Sequence, residues 1–153
     1  MEKRGEQKVA SRTFNSYGDC VVSRDSKPVA VYAISSTLRI PIINAGNGID
    51  EHPTQAMADL YTMFKWRPSL ASKEVSPEDR IRIGVIGLPS RMRTVRSLLR
   101  ILSKFPQILE EVVVIHAPEV ESEAPLFDPG QLEELEASGM SIRCSSDLAA
   151  EIP

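Results

Sequence analysis

The stretch Asn44-Ala45-Gly46-Asn47-Gly48-Ile49-Asp50-Glu51-His52-Pro53-Thr54-Gln55 decides how the rest of the chain is read. It leads from an apolar run, Ile40-Pro41-Ile42-Ile43, read as a short buried strand, through two glycines to the start of an amphipathic helix. Glycine reaches backbone angles closed to other residues, so Gly46 and Gly48 suit a tight strand-to-helix passage. Pro53 fits a first helical turn, where its missing N–H costs nothing, and Thr54 and Gln55 add polar groups beside unpaired backbone amides. Those amides and the helix dipole together favour an anion. His52 and Gln55 stand about one turn apart, within reach of a phosphorylated small molecule held over that end. The same residues are also compatible with plain strand-to-helix punctuation, with His52 satisfied by a backbone carbonyl.

Working outward, residues 5–17 read as a helix with Ala10, Phe14 and Tyr17 along one stripe, ended by Gly18. A strand at 20–22 then delivers Arg24 at its carboxyl end, the side where ligands collect in open α/β sheets. Ser26 and Pro28 open a second helix with Val31, Ile34 and Leu38 facing inward. Helix, strand, helix, strand implies parallel pairing through crossovers. On the other side, 54–66 reads as a helix with Met57, Leu60, Tyr61 and Phe64 inward, and 69–79 as a surface loop. A hinge is expected between Trp66 and Arg80. Beyond it come a strand at 81–86, a helix at 93–105, a strand at 112–115, a helix capped by Asp128 and closed by Gly139, a strand at 141–144 and a last short helix. The predicted fold class is therefore α/β, with two open parallel-sheet lobes, 1–66 and 80–153, joined by a helix and loop. Gly84 and Gly87 lack the third glycine of a dinucleotide fingerprint, so no nicotinamide cofactor is predicted.

With 42% hydrophobic and 25% charged residues, the 153-residue chain has the composition of a soluble globular domain or of two small lobes. A net charge of -3 argues against a general grip on nucleic acid. No apolar run reaches membrane-spanning length and Met1-Glu2-Lys3-Arg4 lacks a signal core, so a cytoplasmic protein off the membrane is expected. Cys20 and Cys144 lack metal-ligand spacing and read as buried or neutral thiols. No metal site is predicted, and His116 reads as structural or surface.

Ile43 to Leu60, I-N-A-G-N-G-I-D-E-H-P-T-Q-A-M-A-D-L, resembles the signature segment of the aspartate carbamoyltransferases, within the aspartate/ornithine carbamoyltransferase family. That family carries a His-Pro-x-Gln element binding carbamoyl phosphate. The resemblance implies a pyrimidine-biosynthetic transferase in which the amine of L-aspartate attacks the carbamoyl carbon, with no metal or organic cofactor. Arg24 matches the arginine that contacts the phosphate and carbonyl oxygen, for which a planar guanidinium fork is suited. His52 would donate to the carbonyl oxygen and Gln55 would accept from the carbamoyl amide, with Thr54 beside them. Arg93-Thr94 matches the pair that holds an aspartate carboxylate, whereas Arg96 and Arg100 read as a solvated basic face. Leu88 follows Gly87 where family members usually carry an acidic residue. Lys3-Arg4-Gly5-Glu6 resembles the end of a mobile loop that reaches a neighbouring active site within a homotrimer; Lys3 and Arg4 are its candidate cations.

By the same resemblance, 1–66 corresponds to the C-terminal part of a carbamoyl-phosphate lobe and 80–153 to the N-terminal part of an aspartate lobe. The family's Ser-Thr-x-Arg-Thr phosphate motif, its Arg-x-Gln element and its His-Pro-Leu-Pro loop are missing. Ser35-Ser36-Thr37-Leu38-Arg39 imitates the first but is expected inside a helix. A fragment or shortened transferase with little activity alone is expected; the alternative is a non-catalytic paralogue that binds ligand or assists subunit assembly.

Overall fold

The computed structural model describes residues 2–118 and 125–151, with side chains described from Val9 onward. It forms two compact units, Met1–Gln55 and Ala56–Pro153.

The first unit runs α1 (Glu2–Tyr17), β1 (Val21–Asp25), α2 (Pro28–Ser35), β2 (Ile42–Asn47). β1 and β2 pair in parallel, as the strand-helix-strand order requires. Pro28 starts α2 without sacrificing a hydrogen bond, and Ala30 and Val31 are the residues that α2 buries. The stripe expected on α1 is not a core face: Tyr17 is 89% exposed and Phe14 is exposed, while Ser11 is buried and shares a hydroxyl hydrogen bond with Thr37. α1 is thus docked through a polar contact that apolar periodicity does not register. α2 ends at Ser35, so the 35–39 run crosses the helix end instead of lying inside the helix. There Thr37 donates its N–H to Ile34 O, and Arg39 N donates to Asn15 Oδ1 at 2.8 Å.

α3 (Pro53–Trp66) begins in the first unit and continues into the second. After it come β3 (Ile81–Ile86), α4 (Arg93–Leu102), β4 (Leu109–Ile115), α5 (Gln131–Ala137), β5 (Ile142–Ser145) and α6 (Leu148–Glu151). The three strands form one parallel sheet in the order β3-β4-β5. Leu70, Leu99, Leu102, Ile108, Val112 and Val114 are fully buried in its core, and Phe64 meets Phe105 edge-on at 6.1 Å.

Two expectations change here. Met57 and Tyr61 are 59% and 63% exposed, because α3 turns Ala56 and Leu60 inward with Met63 and Phe64 beside them. The 69–79 segment is not simply surface loop, since its short 3-10 turns bury Leu70 and Val75 in the second core. The compact units divide at Gln55 and Ala56.

α5 starts at Gln131, after Gly130 at φ +78°, rather than at Asp128. The Asp128 carboxylate is instead taken by Arg96 at 2.6 Å, while Gln131 Oε1 accepts the Asp128 amide. Cys20 and Cys144, read as buried or neutral thiols, are both exposed, so burial does not hold.

An ion-pair ladder crosses the sheet. Arg82 on β3 pairs with Glu111 on β4 at 3.0 Å and with Glu151 on α6 at 2.8 Å, and Arg143 on β5 pairs with the same two carboxylates at 3.2 and 2.7 Å. Hydrogen bonding from Arg143, then from Arg82, holds Glu111 below the usual carboxylate range. The Arg143 contact brings Glu151 down to about 2.

Candidate functional site

The site is built where β1 and β2 lose register. Strand partners jump from Ser23 and Asn44 to Asp25 and Asn47, so Arg24 faces both Ala45 and Gly46. Such an irregularity re-aims a side chain. Here it directs Arg24 Nη1 toward Ala45 O at 3.3 Å and His52 Nε2 at 3.1 Å. Gly46 makes this possible. Its φ is +116°, and a Cβ there would lie 3.3 Å from Arg24 Nη1 and 3.4 Å from His52 Cδ2. Gly48 is more constrained still, since an added Cβ would meet Ser26 O and Pro28 Cδ at 2.7 Å.

His52 immediately precedes Pro53, the first residue of α3. Its Nδ1 receives the Gln55 backbone N–H at 3.3 Å, which that N–H shares with His52 O at 3.1 Å, and lies 3.4 Å from Thr54 Oγ1. A neutral imidazole has one accepting nitrogen. Arg24 and the Gln55 amide are both donors, so the ring cannot accept fully from both. With the proton on Nδ1, the ring donates to Thr54 and accepts from Arg24. With the proton on Nε2, Nδ1 accepts from Gln55, and two donors, Nε2–H and the guanidinium, face the same space. The second arrangement calls for an acceptor oxygen between them. Thr54 suits either, because a hydroxyl both donates and accepts.

Arg24, His52, Thr54 and the Gln55 backbone are therefore brought together, and the Gln55 side chain is exposed at the same helix end. Arg93 and Thr94 open α4 in the second unit, both partly exposed. Lys3 and Arg4 have helical backbone within α1, and their side chains lie outside the described residues. A cavity of about 440 Å³ lies at the carboxyl ends of the second sheet, walled by Ile86, Leu88, Ile115, His116, Ala117 and Leu148, together with Gly87 and Ser146. Arg93 is not among the residues that line it. His116 is buried, with Nδ1–H directed to Ala117 O at 3.0 Å, a structural placement and not a surface one. Among the described residues, no three His, Cys, Asp or Glu side chains are grouped to hold a metal, and no helix is long and apolar enough to cross a membrane.

Sequence reading missed the residues beneath the site. Asn47 is fully buried and makes four side-chain hydrogen bonds. Its Oδ1 accepts from Asn44 Nδ2 at 2.9 Å and from the Glu51 amide at 3.1 Å; its Nδ2 donates to Pro28 O at 3.1 Å and to Asp50 Oδ2 at 2.8 Å. Tyr32 donates to the same Asp50 oxygen at 2.8 Å, and this bond raises the Tyr32 hydroxyl above its ordinary value. Asn44 Oδ1 accepts the Gly46 amide at 2.9 Å. The signal was there, in three Asn or Asp side chains interleaved with two glycines, a pattern that hydrogen-bonds its own backbone.

Residues 2–65 match the family model for the carbamoyl-P binding domain of aspartate/ornithine carbamoyltransferases. The chain is a relative of the aspartate carbamoyltransferases. It is 34% identical over 142 residues to the aspartate carbamoyltransferase catalytic subunit of Saccharophagus degradans, covering 93% of this chain and 39% of that relative. It is 42% identical over 94 residues to the catalytic subunit of Saccharolobus islandicus, covering 61% of this chain and 28% of that one. The fold matches aspartate transcarbamoylase from Trypanosoma cruzi in complex with N-(phosphonacetyl)-L-aspartic acid at a TM-score of 0.70 and 32% identity, over 95% of this chain and 44% of that one. The same enzyme with carbamoyl aspartate and phosphate gives 0.70 and 33%, over 94% and 43%. The chain thus spans less than half the length of these carbamoyltransferases.

Proposed function

We propose that the chain is part of an aspartate carbamoyltransferase, and that its first unit holds carbamoyl phosphate. The observation that carries this is the pairing of Arg24 and His52 across Gly46 at the start of α3. In the proposed complex the carbamoyl oxygen takes the acceptor position facing Arg24 and the Nε2–H of His52, while the Gln55 amide holds Nδ1 in its accepting form. Arg24 also reaches a phosphate oxygen, and Gln55 Oε1 accepts from the carbamoyl amide. Both donors strengthen as negative charge grows on the carbonyl oxygen, which lowers the barrier to attack. The neutral amine of L-aspartate adds to the carbamoyl carbon, and the tetrahedral intermediate collapses as the C–O bond to phosphate breaks, inorganic phosphate leaving with the bonding pair and taking up the proton the nitrogen loses. Arg93, with Thr94, is the proposed holder of an aspartate carboxylate. The reading carries with it a homotrimer in the cytoplasm, with Lys3 and Arg4 as candidate cations for a neighbouring site.

Leu88 and the apolar lining of the second unit's cavity favour a second reading, a paralogue that binds ligand without turnover. Two measurements separate them: formation of labelled carbamoyl aspartate from carbamoyl phosphate and L-aspartate, and calorimetric binding of carbamoyl phosphate, each with Arg24→Ala alongside. Slow product formation that Arg24→Ala abolishes supports the transferase. Carbamoyl phosphate binding without product selects the binding module, and absence of binding overturns both.

A further inference from the structure

The two donors over the site are useful only if His52 is held at one height and one angle, and the segment carrying it has little apolar packing to do that. Ile49 is largely exposed, Asp50 lies on the turn, and Glu51, though buried, is a charged residue bridged to Asn47 through the backbone. What the turn does have is one buried amide side chain bonded to the Pro28 and Glu51 backbone and to the Asn44 and Asp50 side chains.

We infer that Asn47 is the positioning residue for the carbamoyl-phosphate half-site, fixing His52 through its hydrogen bonds to Pro28, Asn44, Asp50 and the Glu51 amide. The inference rests on the proposed ligand but not on turnover. Oδ1 gathers β2, through Asn44, and the residue directly before His52, through the Glu51 N–H. Nδ2 ties the same point to the first turn of α2, through Pro28 O, and to Asp50. The Asn47 backbone closes the loop, its N–H donating to Glu51 O at 3.1 Å and its C=O accepting from Asp50 N. Both N–H donors and both carbonyl lone pairs of one side chain are engaged, so no smaller or apolar residue can reproduce the set. Asn44 bonds Asn47 on one side and the Gly46 amide on the other, so the same network also sets the glycine against which Arg24 and His52 rest. Tyr32, bonded to Asp50, is the outer end of the chain.

The test uses the fact that the chain has two histidines, one in each unit. Long-range proton–nitrogen spectra of the full chain report the tautomer and surroundings of both rings. His52 reads the site and His116 reads the fold of the second unit. Asn47→Ala is expected to shift and broaden the His52 nitrogens, leave those of His116 in place, and weaken carbamoyl phosphate on the order of tenfold. Asn47→Asp sets two carboxylates side by side and is expected to do the same. The exchange Asn47→Asp with Asp50→Asn restores one donor facing one acceptor and is expected to recover much of the His52 spectrum. Recovery by exchange is a result that generic destabilisation does not produce. A His52 spectrum unchanged in Asn47→Ala, or an exchange variant no better than Asn47→Asp, overturns the inference. If wild type shows the His52 dependence on Asn47 but binds no carbamoyl phosphate, the positioning role stands and the ligand assignment falls.

Discussion

The two units are held together by different physics. The second has a dry core in which Leu99, Leu102, Ile108, Val112 and Val114 are fully buried between a three-stranded parallel sheet and its helices. The first pairs two strands, and its fully buried side chains include an amide, Asn47, set in a turn full of hydrogen bonds, and the Ser11 hydroxyl. Apolar packing is tolerant of small shape changes, whereas a buried polar network works only when each member is satisfied. Stability is therefore concentrated in the second unit and geometric exactness in the first, and the candidate chemistry sits where exactness is.

This contrast can be broken from either side. The largest effect is expected from Leu102→Ala in the second core, a loss of about 2–5 kcal/mol in unfolding free energy read by denaturant titration. Hydrogen exchange of Gly46 to Glu51 amides should be far less affected than that of β4. Equal loss in both segments would mean one shared core and would remove the distinction. Next comes Gly46→Ala. The backbone there is in a region that disfavours a side chain, and the new methyl would press on Arg24 and His52. A cost of about 1–3 kcal/mol is expected, felt in ligand affinity as well as stability. A variant that binds as well as wild type would show that the glycine is mere turn chemistry.

The smallest effect sharpens the picture of the second unit's sheet. Glu111 and Glu151 sit below their ordinary value of 4.5, Glu151 at about 2, because Arg143 and Arg82 favour the ionised forms. A depressed carboxylate contributes stability above its unfolded value and loses it as the pH falls toward the folded one. The ladder's contribution should thus be intact at neutral pH and fade between about pH 4.5 and 2. Glu151→Gln should flatten the acid limb of a melting-temperature profile in that window while hardly moving it at pH 7, since these exposed pairs are individually weak. An unchanged acid limb would remove the ladder from the account.

Much of this was legible in the sequence, for reasons that differ by residue. The strand-to-helix passage from Ile42 to α3 was visible because glycine, proline and apolar runs act locally. The inward face of α3 was misjudged at Met57 and Tyr61 because apolar residues surround the helix, and only the neighbouring core selects Ala56 and Leu60. Leu70 and Val75 looked like loop residues because nothing periodic marks a segment that packs through two short 3-10 turns. Arg24 and His52 stood out at a strand end and a helix start, and resemblance to a family motif supplied their roles. Their contact depends on a register slip between strands paired from Val21 with Ile42 to Asp25 with Asn47, which no local pattern encodes. Asn47 was overlooked because turn residues are read for backbone freedom before they are read for hydrogen bonds.

The most direct test is calorimetric titration of carbamoyl phosphate into the full chain and into Arg24→Ala. Losing a charge-assisted donor from the pair is worth about 1.5–3 kcal/mol, so affinity should fall by roughly 10- to 150-fold. Superimposable isotherms for the two proteins would contradict the claim that Arg24 and His52 jointly hold a carbamoyl-bearing anion.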